Sequence, residues 1–157
     1  MNIKNYTSGV DSSLTIGRIE SKLAAAGASG IAKLYDTKGK ISSLVFQIEL
    51  GGKKWNVRVP ANVQACFEAM WKDHCLRTSR PRESTKATIY EQAHRTAWRL
   101  VQDWIDVQIS MITMRQAEFL EVFLPYVWDG KQTFFESCKA REFKALPERT
   151  ENRPSHP

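Results

Sequence analysis

ISSLVFQIELGGKKWNVRVP, residues 41–60, decides the fold. Leu44, Phe46, Ile48 and Leu50 alternate with Val45, Gln47 and Glu49, the period of two that sends side chains to opposite faces of a strand. Gly51-Gly52 then supplies two residues that tolerate positive φ, as a tight hairpin requires. The alternation resumes with Trp55, Val57 and Val59 on one side and Lys54, Asn56 and Arg58 on the other. An antiparallel pair with one apolar and one polar face is the pattern of a sheet covered by helices on one side only.

Upstream, Gly30 to Asp36 reads as a further strand, joined through the turn Thr37-Lys38-Gly39-Lys40. Before it, Asp11-Ser12-Ser13 offers helix-capping side chains, and Ile16, Ile19, Leu23 and Ala26 recur at helical spacing, so a helix is expected from about Ser13 to Ala26. Ile3 to Ser8 fits a first short strand. Downstream, Pro60 closes the hairpin, and Val63, Cys66, Phe67, Met70 and Trp71 form the apolar stripe of a second helix. Residues 75–87, CLRTSRPRESTKA, are basic, carry a proline and read as an exposed loop. A long helix from about Thr85 to Met114 follows, with Ala97, Trp98, Val101, Trp104, Ile105, Ile109 and Ile112 on one stripe. Glu118 to Leu124 continues in helix until Pro125, and Thr133 caps a short helix reaching Arg141. The expected fold class is α+β: an antiparallel sheet of βαβββ order packed on one face by helices, with one long amphipathic helix and a short C-terminal helix. Residues 1–146 form the single domain and residues 147–157 a polar, flexible tail.

The composition fits that scheme. A chain of 157 residues with 42% hydrophobic and 25% charged side chains can bury a core without disulfides. Cys66, Cys75 and Cys138 are odd in number and include no CxxC pair, which argues against a zinc ribbon or a dithiol site. No secretory leader and no membrane-spanning run is legible, so a cytoplasmic location is expected. The net charge of +6 is uneven: residues 1–99 carry 16 of the 23 Lys/Arg and 8 of the 17 Asp/Glu, a balance of +8. Such asymmetry favours an anionic partner.

The segments RVPANVQA (58–65), RTAWRLVQDWIDVQ (95–108), EFLEVFLPYVWDGKQTFFE (118–136) and FKALP (143–147) together resemble an uncharacterised family of small proteins encoded by bacteriophages and prophage-like elements. The resemblance covers most of the chain. It implies a viral or mobile-element product acting in the cytoplasm of a bacterial host, and it brings no catalytic residues with it.

Catalytic patterns are weak. Glu91 and His94 have the i, i+3 spacing of di-iron bundles, but the second Glu-x-x-His is missing. His74 and Cys75 are neighbours that point about 100° apart on a helix, which is no nucleophile–base pair. Asp103/Asp106 and Glu118/Glu121 are more simply solubilising carboxylates than an acid–base pair. No enzymatic activity, cofactor or metal site is expected.

The basic residues are the strongest lead. Lys33, Lys54 and Arg58 are assigned to the polar sheet face, with Lys38, Lys40 and Lys53 at its turns. Arg77, Arg80, Arg82 and Lys86 lie in the loop, and Arg95 and Arg99 stack at i, i+4. Merged, they would make a groove for phosphates. The plainer alternative is an ordinary basic surface. Phe46 and Trp55 fall on the buried sheet face and leave Tyr6 as the exposed ring, which argues against base stacking on the sheet. Of the aromatic run Phe119, Phe123, Tyr126, Trp128, Phe134 and Phe135, most belongs to the core, and an exposed part would be a patch for a partner. The sequence therefore points to nucleic-acid binding through a basic surface. Its alternative is an inhibitor or adaptor that binds a host defence protein, or a chain that assembles with itself.

Overall fold

The computed structural model describes residues 3–148. Helix α1 (Ser12–Ala25) leads into strands β1 (Gly30–Tyr35), β2 (Ile41–Leu50) and β3 (Lys53–Pro60). Helices α2 (Val63–Arg77) and α3 (Ser84–Thr113) follow, then α4 (Phe119–Phe123), a 3-10 turn at Leu124–Tyr126 and α5 (Phe134–Ala140). The class is α+β, with the strands in antiparallel order β1-β2-β3.

The hairpin forms as its glycines demand. Leu50 pairs with Lys53, and Gly51 and Gly52 take φ of 59° and 75°, the two left-handed residues that match a hairpin to strand twist. One sheet face is the core. Leu44, Phe46, Ile48, Val57 and Val59 are buried there against Ile16, Ile19 and Leu23 of α1 and Ala97, Trp98, Ile105 and Ile109 of α3. Phe46 is met edge-on by Phe119 and Phe123, with ring centroids 6.2 and 5.7 Å away. Edge-to-face contact lets the ring quadrupoles attract. Trp98, fully buried, donates from Nε1 to the Ile41 carbonyl at 3.2 Å and so fixes α3 to the start of β2.

Local signals set the helix ends. The Asp11 carboxylate accepts from the Ser13 backbone N–H at 2.7 Å at the head of α1. At its tail, Ala28 donates to Leu23 and Gly27 to Ala24, with Gly27 left-handed at φ 102°. Asn62 caps α2 by accepting from Ala65 at 3.1 Å. Glu118–Glu121 and Thr133–Glu136 close capping boxes on α4 and α5, so the paired carboxylates at 118 and 121 are occupied in helix capping.

The N-terminal strand expected at Ile3–Ser8 is absent. Residues 4–7 form turns, with Tyr6 donating to Ile3 and Ser8 to Asn5. Their carbonyls are taken by α3 side chains. Thr96 donates to the Asn5 carbonyl at 3.1 Å, and Gln92 to those of Tyr6 and Ser8 at 2.9 and 3.1 Å. A strand would need those groups for a neighbour in the sheet. The outer edge of β3 is instead bridged from the far end of the chain. Val57 pairs with Val127, and the Trp128 N–H donates to the Asn56 carbonyl at 2.8 Å. Most of the tail expected at 147–157 falls outside the described residues. Among the described residues no helix is long and apolar enough to cross a membrane.

Candidate nucleic-acid interface

The nine basic residues singled out in the sequence occupy different surfaces. Lys33 pairs in register with Leu44, which puts it on the helix-covered face, where its Nζ meets Glu20 of α1 at 3.0 Å. Its assignment to the polar face is therefore corrected: strand register, with a bulge only later at Leu34/Tyr35, sends Lys33 to the core side at the sheet edge. Lys54 and Arg58 do lie on the open face, opposite Glu49 and Val45, and Arg58 donates from Nε to the buried Ser43 hydroxyl at 3.3 Å. Arg95 and Arg99 are half-buried on α3, on the other side of the sheet. Arg95 donates to the Ser8 carbonyl at 3.2 Å and to Gln92 at 2.6 Å; Arg99 donates to Gln102 at 3.1 Å and faces Asp103. Arg95 thus holds the N-terminal segment on α3, while Arg99 is engaged within α3 by Gln102 and Asp103.

Asp103 completes that strap. It accepts from Asn5 at 2.9 Å and pairs with Lys4 at 2.8 Å. Burial alone would raise its pKa, but the bonds from Lys4 and Asn5 and the charges of Lys4 and Arg99 outweigh it and hold the carboxyl below its ordinary range. Arg77 and Lys86 are not in the loop as expected, because α2 runs on to Arg77 and α3 starts at Ser84. Arg77 donates to the Tyr6 hydroxyl at 2.9 Å and pairs with Asp73. Arg80 and Arg82 are exposed and, among the described residues, meet no acidic partner.

A second cluster gathers around Lys86. The β1–β2 turn is built on Asp36, whose Oδ1 accepts from the Lys38 and Lys40 backbone N–H groups at 2.8 and 2.9 Å, with Gly39 left-handed at φ 72°. That turn carries Lys38 and Lys40 toward α2 and α3. The Lys38 ammonium sits 4.3 Å over the Tyr90 ring, and the Lys86 ammonium 5.2 Å over the Trp71 ring. Lys40 pairs with Glu91 at 3.0 Å. Between them runs an open groove of about 540 Å³, lined by Lys38, Lys40, Phe67, Lys86, Tyr90 and Glu91 among others.

The groove's rings continue along α2. Phe67 stacks on Trp71 with centroids 6.5 Å apart and an interplanar angle of 15°, and Trp71 stacks on His74 at 5.5 Å and 27°. All three rings are half-buried. Of the apolar stripe Val63, Cys66, Phe67, Met70 and Trp71, α2 fully buries only Val63 and Met70. Tyr6, expected as the exposed ring, is half-buried, whereas Tyr35 is 60% exposed. The signal in the sequence is the i, i+4, i+7 spacing of Phe67, Trp71 and His74, which puts three rings on one face of α2.

His94 lies beside this cluster and is 4% exposed. Burial, then the nearby Lys40 charge, lowers its pKa, and its Nε2 is shielded with no hydrogen-bond partner among the described residues. Glu91, its i, i+3 neighbour, is exposed and paired with Lys40, so the two do not form a ligand pair. Among the described residues no group of three His, Cys, Asp or Glu is placed to hold a metal ion. Compared with protein families, curated proteins and solved structures, the chain gives no match.

Proposed function

We propose that the protein is a non-enzymatic accessory protein of a phage or other mobile element that binds nucleic acid in the cytoplasm of its bacterial host. The mobile-element setting is supported by the resemblance carried by residues 58–65, 95–108, 118–136 and 143–147. The observation that carries the binding reading is the convergence of Lys38, Lys40 and Lys86, from two separate elements, on one aromatic-lined groove. Arg80 and Arg82 precede that groove directly in the chain and have no acidic partner among the described residues. The contact surface is thus smaller than the nine residues of the sequence reading and differently composed. Lys54 and Arg58 lie across the sheet from it, and Arg95 and Arg99 are committed to the fold.

Binding to a labelled oligonucleotide across a salt series tests this. Five cations engaged on a single strand give a slope of log affinity against log salt of about −3.5, from roughly 0.7 per neutralised phosphate. The double substitution Arg80→Ala/Arg82→Ala should flatten the slope by about 1.4, while Lys54→Ala leaves it unchanged. Absence of binding at about 50 mM salt, where phosphate contacts are strong, would end the reading.

A second reading has its own observation. Phe134 and Phe135 of α5 are 47% and 50% exposed, and Phe143, whose ring lies 5.8 Å from that of Phe135, is 38% exposed. Three clustered exposed rings suit a protein partner, including a host defence protein or a second copy. Phe135→Asp would abolish such an association, read by sedimentation for self-assembly or by titration with a purified host protein, and would leave oligonucleotide binding intact.

A further inference from the structure

We infer that the groove between the β1–β2 turn and helices α2 and α3 takes the unpaired bases of single-stranded nucleic acid, a base stacking on Tyr90 while the lysines meet the flanking phosphates. The inference rests on the nucleic-acid reading and specifies its substrate class.

An aromatic face packed in a core is closed by apolar atoms, yet a face of Tyr90 is covered by the Lys38 ammonium, at 4.3 Å from the ring centre. A cation on a flexible stem is displaceable. When a base slides onto the ring, the ammonium is released within reach of the phosphate that the base carries with it. Ring and charge are therefore supplied together by Tyr90 and Lys38, the combination used by sequence-tolerant single-strand sites. Phe67, stacked on Trp71 and edge-on to Tyr90 at 5.6 Å, braces both rings.

Size and shape agree. A volume of about 540 Å³ falls in the class of pockets that hold a small-molecule ligand, which is the scale of a nucleotide with its phosphate. A duplex keeps its bases stacked inside and offers a groove of this kind only its backbone. Gln47, Glu49, Lys54 and Asn56 line much of the sheet's open face, and the exposed Tyr35 ring stands at the edge strand with no lysine over it among the described residues.

The test compares four ligands of equal length on the wild-type protein: oligo-dT, oligo-rU, the same strand with abasic residues, and a duplex. The abasic strand keeps every phosphate and loses every base. The expected result is binding of oligo-dT or oligo-rU at least about tenfold tighter than the abasic strand, the effect of one stacked base. The better of the two pyrimidine strands identifies DNA or RNA as the ligand, and either supports the inference. Tyr90→Leu should remove most of the preference for bases while keeping the salt slope, and Tyr90→Phe, which keeps the ring, should retain both. Equal affinity for the normal and abasic strands, or a preference for duplex, would overturn the inference and leave phosphate binding standing. No binding to any of the four would overturn both.

Discussion

His94 is a residue whose protonation the fold opposes. Its pKa is lowered by burial and by Lys40, against weaker support from the Ile41 carbonyl, Glu91 and Asp36. The unfolded chain therefore binds its proton more tightly than the folded one. Stability is fully present above the free histidine value of about 6.5 and is lost as pH falls through the lower folded value. Thermal melts of the wild type should drop in midpoint between about pH 7.5 and 5.5, and His94→Leu should flatten that drop. Asp11, Asp103 and Asp129 also have lowered values, but as carboxylates they titrate below this window. An unchanged pH dependence in His94→Leu would refute this role. A second prediction concerns Asp36, which organises the turn that carries Lys38 and Lys40. Asp36→Ala should cost about 1 kcal/mol in urea denaturation, from two backbone N–H groups left to water. Its oligonucleotide affinity should fall too, although it removes a negative charge, because the two lysines lose their placement. A rise in affinity would show that bulk charge matters more than geometry.

At the level of elements, the readable ones were those whose instructions are local. The hairpin followed from period-two alternation around Gly51-Gly52, and α3 from its apolar stripe; both stand within a residue of expectation. Gly52→Val should destabilise by about 1–2 kcal/mol, because a branched side chain at φ 75° meets the following carbonyl; a neutral result would mean that the turn can change type. The N-terminal segment was misread because what holds it is distant. Its carbonyls are satisfied by Gln92 and Thr96 and its side chains by Asp103, about 90 residues on, and no window of local sequence records that. Asp103→Ala should release the segment, seen as faster hydrogen exchange at the Tyr6 and Ser8 amides. Unaltered exchange would mean that Gln92 and Thr96 suffice.

For the molecule as a whole, the class and the covered sheet face were legible because burial follows from patterning. The candidate site was legible only as charge. Its lysines and rings come from three stretches, around residues 38, 71 and 88, and only the packing of α2 beside α3 under the β1–β2 turn brings them together. Lys33 shows the same limit in reverse, since an edge position lets a charged side chain occupy the core-side face and pair with Glu20. The bridge from Val57 to Val127 has a further consequence. Those residues lie 70 positions apart, so the sheet's second edge is closed by one of the longest loops in the chain. During synthesis β3 leaves the ribosome well before its edge partner exists, and until residue 127 emerges that edge is a bare strand open to other chains. Crowding of nascent copies on one message is thus the moment of greatest aggregation risk for this protein.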